Sequence, residues 1–184
     1  MSEEAPLLDQ SLGSVLEAFA ARSPAPGGGS AAAIALALAA ALVGMAARYS
    51  EGKLESAEAI AAAADRVRVR ATALAEEDAR AYTAVLAARR LPPETAASDR
   101  EEAMATAMAC AVAVPTEVAE LGADLARLAN ELASRGNANL LGDSLSGLLL
   151  AEAATAAAAT IVEINVVDAE RGPARPSGDA AVAP

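Results

Sequence analysis

Residues 23–50 read SPAPGGGSAAAIALALAAALVGMAARYS, and this stretch decides the fold. Two prolines and three consecutive glycines are followed, over residues 31–47, by a run without any charged or hydrogen-bonding side chain. The run is short for a membrane span, which needs about 20 apolar residues, and its many alanines favour bilayer insertion only weakly. We therefore expect no membrane span here. The stretch predicts a buried central helix over residues 31–50, with Ser30 as its N-cap.

The composition extends this helical prediction to the whole chain. It is 54% hydrophobic but only 2% aromatic, and alanine dominates. Alanine is the best intrinsic helix former, and its small side chain lets helices approach closely. Because no segment alternates between β-branched and polar residues, the sequence predicts an all-α fold, an antiparallel bundle of long helices.

The remaining helices follow from their breakers and apolar stripes. A first helix is predicted over residues 9–22, and a last one over residues 144–167. Between them, Pro115 is expected to end one helix and Gly136 to close the next. Residues 1–167 then form a single helical domain, and residues 168–184, rich in proline and glycine, form a disordered tail.

The segment 53–90 has an unbroken helical pattern and is unusually long. At 1.5 Å per residue it measures roughly 55 Å. A compact monomer of this size is only about 40 Å across. Either the helix is bent or it extends into a partner subunit, so we expect a homodimer.

Charge and residue content exclude several classes of function. The formal net charge of −11 disfavours nucleic acid and anionic membrane surfaces as partners. A single cysteine, Cys110, and an acidic N-terminus without signal-peptide features predict a cytoplasmic location. Because the chain contains no histidine, acid–base chemistry must rely on carboxylates, Lys53, a tyrosine or water. The carboxylates are scattered and no cluster of histidines or cysteines accompanies them, so no metal site is expected.

Two carboxylates are candidates for a functional site. Asp78 falls on the buried face of its helix, between Leu74 and Tyr82, where a carboxylate must be paired, hydrogen-bonded or protonated. Asp143 precedes the last helix within a turn rich in glycine and asparagine. Each carboxylate also has a purely structural interpretation. Asp78 can pair with an arginine of a neighbouring helix or accept from a helix N-terminus, and Asp143 can be an N-cap.

The glycine and asparagine clusters are open to two interpretations as well. Glycines before a helix let a ligand approach the backbone, but they also make a flexible connector. Asn137 and Asn139 either contact a ligand or only supply turn conformations.

Several stretches together resemble the cyclodeaminase/cyclohydrolase family, which includes the C-terminal domain of formiminotransferase-cyclodeaminase and stand-alone methenyltetrahydrofolate cyclohydrolases. They are PAPGGGSAAA at 24–33, EEDARAYTAV at 76–85, LPPET at 91–95, VPTEVAEL at 114–121, GNANLLGD at 136–143 and LLAEAATAAAATIVEIN at 149–165. The resemblance covers roughly residues 7–167. It implies an all-α dimer that binds a reduced folate as substrate, with no tightly bound cofactor.

The resemblance also implies roles for individual residues. The residues implied to bind the folate are Gly27, Gly28, Gly29, Ser30, Asn137, Asn139 and Asn165, and those implied to act in catalysis are Asp143 and Asp78. The chain departs from the family pattern at several positions. Ala138 stands in place of proline, Leu141–Gly142 in place of Ile-Ser, and Ile161 in place of asparagine. Glu163 stands in place of a cation, which would weaken binding of an anionic glutamyl tail.

Two reactions are therefore expected. A cyclohydrolase opens 5,10-methenyltetrahydrofolate to the 10-formyl compound with water, and a cyclodeaminase closes the formimino compound with loss of ammonia. The cyclohydrolase is the first expectation, because nothing on this short chain identifies a formiminotransferase domain. We expect Asp143 to matter more for turnover and Asp78 more for stability. The alternative is a non-catalytic folate-binding or helical dimerisation protein that kept the fold.

Overall fold

A computed structural model describes residues 6–171, which form five α-helices. They are α1 (Leu12–Ala20), α2 (Gly28–Arg48), α3 (Ala57–Arg89), α4 (Ala97–Arg135) and α5 (Leu141–Arg171), with short 3-10 turns at Leu7–Asp9 and Ala138–Leu140. No strand occurs between residues 6 and 171. The predicted all-α fold is confirmed, while the predicted dimer stays a prediction.

Helices α2 to α5 form an antiparallel up-down-up-down bundle. Contacts between α3 and α4 run in opposite directions along the two helices. Ser56 donates to Glu131 over 2.6 Å at one end, and Arg70 binds Glu117 over 2.6 Å in the middle. Because α3 lies beside α4 over its whole length, the length of α3 does not by itself require a partner subunit.

Helix α2 is the buried central helix that the sequence predicts. It contacts α3, α4 and α5, and Leu36, Ala39 and Val43 are fully buried on it. Within residues 6–171, three segments are long and apolar enough to cross a membrane by length and composition: α2, α4 and Ala138–Glu170. Within this fold 61% of the most apolar window of α2 is buried, against 22% for the segment that contains α5. The apolar surface of α2 is thus mainly core, whereas most of that of α5 is uncovered in a single chain.

The predicted start of α2 is wrong by a few residues. The helix begins at Gly28 with Gly27 as its N-cap, and Ser30 is fully buried in the first turn. The Ser30 hydroxyl faces α3 and does not cap the helix. Ser30 is therefore part of the α2–α3 packing.

The prediction that Pro115 ends a helix is also wrong, because α4 runs unbroken through it. A proline inside a helix leaves the carbonyl four residues earlier without its N–H donor. Here Asn165 of α5 supplies the missing donor, since its Nδ2 lies 2.7 Å from the Ala111 carbonyl oxygen. A contact with another helix thus lets α4 continue.

Helix α5 passes the predicted domain limit at residue 167 and continues to Arg171. Residues 168–171 therefore belong to the helix and not to the expected tail. The rest of the expected tail, residues 172–184, lies outside the described residues. The division into one domain and a tail stays a prediction.

Candidate functional site

A pocket of about 440 Å³ lies at the end of the bundle where α2 begins. The first turn of α2, the second half of α3 and the last turns of α5 form most of its wall, and α4 closes it from one side. The lining residues are Pro24, Ala25, Gly27, Gly28, Gly29, Asp78, Ala79, Ala81, Tyr82, Val85, Arg89, Met108, Ala111, Ile161, Ile164, Asn165 and Asp168. Four parts of the sequence that are far apart along the chain thus meet around one cavity.

Asp78 lies against the N-terminal turn of α2. Its Oδ2 is 3.0 Å from the Ser30 hydroxyl, which is also 2.9 Å from the Ala75 carbonyl oxygen. A Cβ on Gly29 would lie 2.7 Å from Asp78 Oδ2 and closer still to the rest of the carboxylate. Gly29 therefore has to be glycine for the carboxylate to rest on the helix start, where the helix dipole favours negative charge.

Burial raises the pKa of the Asp78 carboxyl above its ordinary value, and hydrogen bonds from Ser30 oppose this shift. The Ser30 hydroxyl has one proton for two acceptors, so the arrangement accommodates both states of Asp78. An ionised Asp78 accepts the proton of Ser30. A protonated Asp78 donates to Ser30, which then donates to Ala75. This carboxyl can therefore take up and release a proton without losing its hydrogen-bond partner.

A second charged pair lies at the mouth of the pocket. Arg89 Nη2 donates to Asp168 Oδ2 over 2.6 Å, and both side chains are about half exposed. Among the lining residues in the described part of the chain, Arg89 is the one cation, beside the two carboxylates of Asp78 and Asp168. The pocket therefore carries a negative balance that favours a cationic ligand group, with a guanidinium at its edge for an anionic group.

The wall between these charges is apolar. Tyr82 and Val85 of α3 and Ile161 and Ile164 of α5 face the cavity, and Met108 of α4 adds to it. A flat heterocyclic ring can lie against such a surface, with polar groups at its edge fixing its orientation.

Asn165 lines the pocket as well, but its amide has a structural task. Nδ2 donates to the Ala111 carbonyl left free by Pro115. Its Oδ1 is an acceptor that this bond does not use. Asn165 therefore combines support of α4 with a position in the pocket wall.

The other predicted residues lie at the opposite end of the bundle, where α5 begins. Asn137 Nδ2 donates to the Tyr49 carbonyl over 2.9 Å, and its Oδ1 accepts from the Asn139 backbone N–H over 3.2 Å. The buried Ser50 hydroxyl accepts from the Asn137 backbone N–H over 2.9 Å. These bonds attach the turn between α4 and α5 to the end of α2, so Asn137 has a structural function here.

Asp143 lies in the first turn of α5 and is half-buried. Within residues 6–171 its carboxylate has no hydrogen-bond or ion-pair partner. Asn139 is exposed beside it. In a single chain the structure therefore brings together the three glycines, Ser30, Asp78 and Asn165, and it leaves Asn137, Asn139 and Asp143 at the far end.

The sequence interpretation missed Arg89, Tyr82, Ile161 and Asp168. Arg89 and Asp168 are exposed charges on helices of ordinary pattern, and their pairing joins positions 79 residues apart. No local signal identifies such a pair. Ile161 departs from the family pattern, and that departure did not predict its place in the pocket. Its Cδ1 lies 3.5 Å from the position that a Cβ on Gly28 would occupy.

Comparison with known proteins identifies a family and a solved structure that are similar to this chain. The model of the formiminotransferase-cyclodeaminase family matches residues 11–171. The crystal structure of formiminotetrahydrofolate cyclodeaminase from Thermotoga maritima resembles this chain with a TM-score of 0.78 and 28% sequence identity, over 88% of this chain and 81% of that one. No curated protein sequence matches the chain.

Proposed function

The chain belongs to the formiminotransferase-cyclodeaminase family, and from this premise we propose that it is an enzyme acting on the one-carbon unit of a tetrahydrofolate derivative. The observation that carries the proposal is the pair formed by Asp78 and Ser30 at the start of α2. A carboxyl that keeps its hydrogen bonds in both protonation states is suited to proton transfer beside a cationic carbon.

We propose the cyclodeaminase reaction first. In the substrate the formimino carbon joins N5 to a terminal nitrogen, and N10 carries a proton. N10 attacks this carbon, Asp78 takes the N10 proton and passes it to the terminal nitrogen, and the C–N bond to that nitrogen breaks to release ammonia. The positive charge of the protonated formimino group becomes the charge of the methenyl bridge, so atoms and charges balance. The step exchanges one C–N bond for another and changes no oxidation state, so it needs no redox cofactor.

The solved structure that resembles this chain favours this order of the two reactions, since it is called a cyclodeaminase and the chain covers 81% of it. The cyclohydrolase reaction is the second candidate. It starts from the same methenyl cation, and Asp78 would then remove a proton from the attacking water. The negative balance of the pocket supports either reaction, because both pass through a cationic carbon.

Arg89 is the group that we propose for binding a carboxylate of the glutamyl tail. It stands at the mouth of the pocket, where the tail of a ring bound against Ile161 and Tyr82 would leave. Glu163, whose charge departs from the family pattern, is exposed and is not among the lining residues. The departure at 163 therefore leaves the pocket wall of the same chain intact. We further propose that the enzyme works in the cytoplasm.

The absorbance of the methenyl cation provides the test. We expect the wild-type chain to form the cation from the formimino compound, or to consume it by hydrolysis, well above the uncatalysed rate. Asp78→Asn should lower turnover by about 10²–10⁴-fold, the usual contribution of a general acid–base. Asp124→Asn, a change of the same type on the exposed surface of α4, should leave turnover unchanged. A wild-type rate equal to the uncatalysed rate, with folate still bound, would establish the non-catalytic alternative.

A further inference from the structure

Pro115 lies inside α4, and the helix continues on both sides of it. Proline has no backbone N–H, and its ring pushes against the carbonyl four residues earlier, which here belongs to Ala111. That carbonyl therefore lacks the donor that a regular helix supplies. Pro115 is fully buried in the packed interior. A residue that disfavours helix at a buried helical position points to a role outside α4 itself.

The free carbonyl determines how the Asn165 amide is oriented. A carbonyl oxygen only accepts hydrogen bonds, so the donor end of the amide, Nδ2, is the end that faces it, at 2.7 Å. Oδ1 is attached to the same carbon as Nδ2 and points to the other side, away from α4. In a regular helix the Ala111 carbonyl would have its own donor, and the amide would turn more freely. Pro115 thus sets which end of the amide faces α4.

The Oδ1 atom of Asn165 is an acceptor that the rest of the chain does not use. Within residues 6–171 it has no hydrogen-bond partner. In the same range no fully buried side-chain nitrogen or oxygen lacks a partner, so Oδ1 must border open space. Asn165 lines the pocket, and the walls on the side away from α4 are the first turn of α2 and the second half of α3.

We propose that Pro115 is a positioning residue for the ligand of this pocket. Through the Ala111 carbonyl it holds the Asn165 amide with Oδ1 toward the cavity, as an acceptor for an N–H group of the ligand ring. The proposal rests on the proposed function, and it adds the chemistry of one edge of the ring. The pyrimidine ring of a tetrahydrofolate has such groups, an amino group and a ring N–H. A turned amide would meet them with its own NH2 group and repel them.

A purely structural role of Asn165 is the competing explanation, in which the amide only replaces the donor that α4 lacks. Both explanations predict that Asn165 stabilises the fold, and they differ in the Pro115→Ala variant. Alanine restores the N–H at residue 115 and is the best helix former, so α4 no longer depends on Asn165. A structural role then leaves the ligand affinity unchanged. A positioning role lowers the affinity, because the amide is no longer held in one orientation.

The affinity for tetrahydrofolate tests the proposal, because this probe has the ring but no one-carbon unit and is not turned over. Pro115→Ala should have a urea midpoint equal to or above that of the wild type. Its Kd for tetrahydrofolate should rise about fivefold to tenfold, the effect of one hydrogen bond. Pro93→Ala, in the exposed turn between α3 and α4, is the matched control and should have the wild-type Kd.

A double-mutant cycle shows whether Pro115 acts through Asn165. Asn165→Ala should raise the Kd by a similar factor, and adding Pro115→Ala to it should change the Kd by less than about twofold. Movement of α4 as a whole would instead weaken binding equally with and without the Asn165 side chain. If Asn165→Ala alone does not fold, the double variant is compared with Pro115→Ala, because residue 115 then supplies the missing donor. Those two Kd values should agree within about twofold.

Two results in the binding experiment would overturn the proposal. One is a Pro115→Ala variant with the wild-type Kd. The other is a loss of affinity that is independent of Asn165, or a double variant that binds much more weakly than Pro115→Ala. A wild type that does not bind tetrahydrofolate is a different result, because it contradicts the proposed function.

Proton exchange at the Asn165 side-chain amide tests the positioning without any ligand. In the NMR spectrum of the wild type, the signal that Asn165→Ala removes should exchange slowly with water, because its N–H is held by the Ala111 carbonyl. In Pro115→Ala the same signal should exchange about tenfold faster. An equal exchange rate in the two proteins would show that Pro115 does not orient the amide, whether or not a folate binds.

Discussion

The two ends of the bundle use the same kinds of residues for different purposes. At the start of α2, glycines and a carboxylate line a cavity. Because Gly29 has no side chain, the Asp78 carboxylate can lie against the helix start. At the start of α5, asparagines and glycine form a turn in which the Asn137 side-chain amide donates to the Tyr49 carbonyl and accepts from the Asn139 backbone N–H. The first end has an acid–base group facing a cavity, and the second end has a turn fixed to the bundle.

The difference shows how a polar motif should be judged. Glycine, asparagine and aspartate at a helix start indicate either a ligand site or local structure. The cavity and the partners of each side chain distinguish the two cases. Asp78 faces open space on one side, whereas the side chain of Asn137 has both ends occupied within its own chain.

The largest loss of stability and turnover is expected at Gly29, where the backbone of α2 lies against the Asp78 carboxylate. Gly29→Val adds a branched side chain where even a Cβ overlaps the Asp78 carboxylate, so it should destabilise the fold by about 3 kcal/mol or more and abolish turnover. Gly27→Ala should leave the urea midpoint unchanged, since nothing lies within 4 Å of its added Cβ. A Gly29→Val variant as stable as the wild type would show that Asp78 is not held where the structure places it.

The next effect concerns pH. The pKa of Asp78 in the folded chain is raised above its ordinary value of 3.8, chiefly by burial. A raised carboxyl pKa stabilises the fold most below 3.8, and this contribution is lost as the pH rises through the folded-state pKa. Turnover changes in the opposite sense, because the ionised form accepts the proton, so activity should fall on acidification at a pH above 3.8.

Asp78→Asn separates these two effects. The variant should lose turnover at every pH, and its urea midpoint at neutral pH should equal or exceed that of the wild type, since Asn still accepts from Ser30 and has no charge to bury. This replaces the sequence-based expectation that Asp78 mainly serves stability. A loss of about 1–3 kcal/mol of unfolding free energy with turnover retained would restore that expectation.

A smaller loss of stability is expected at Asn165, which lines the pocket and also donates to the Ala111 carbonyl of α4. Asn165→Ala leaves the Ala111 carbonyl without its donor and should cost about 1–2 kcal/mol of stability. In a Pro115→Ala background residue 115 regains an N–H that can donate to Ala111, so the same change should cost less. Equal costs in the two backgrounds, measured as a double-mutant cycle in urea, would show that Asn165 does not compensate for the proline.

The smallest loss of stability is expected at Asn137, in the turn between α4 and α5. Asn137→Ala removes the bonds to Tyr49 and Asn139 and should cost about 1 kcal/mol, because the site is partly exposed. Asn130→Ala, at an exposed asparagine of α4, is the matched control and should cost nothing measurable. An Asn137→Ala variant with an unchanged midpoint and weakened folate binding would instead make Asn137 the ligand residue that the sequence predicts.

Much of the fold could be predicted from local patterns. The alanine-rich run predicted the central helix, and the prolines and glycines predicted most helix ends. Both predictions depend on interactions between residues that are close in sequence. Pro115 was misjudged because its missing hydrogen bond is replaced by Asn165, which lies on another helix. Ser30 was misjudged because its partner, Asp78, is 48 residues away.

The candidate site could be predicted only in part for the same reason. The glycines and Asp78 interrupt local patterns, so they were found in the sequence. Arg89 and Asp168 are ordinary surface charges whose pairing depends on how α3 and α5 end next to each other. The separation of Asp143 from Asp78 is likewise a property of the topology and has no local signal.

The binding of a reduced folate to Gly28→Val shows whether the pocket at the start of α2 is the folate site. A Cβ on Gly28 meets only Ile161 at an ordinary 3.5 Å, so valine fills the pocket without forcing the helices apart. We predict that the Kd for 5,10-methenyltetrahydrofolate, measured by titration, rises at least tenfold, which corresponds to about 1.4 kcal/mol of binding energy. The free energy of unfolding, measured in urea, should change by less than about 1.4 kcal/mol. A folded Gly28→Val variant that binds the folate with the wild-type Kd would contradict the account, because the ligand would then lie outside this pocket.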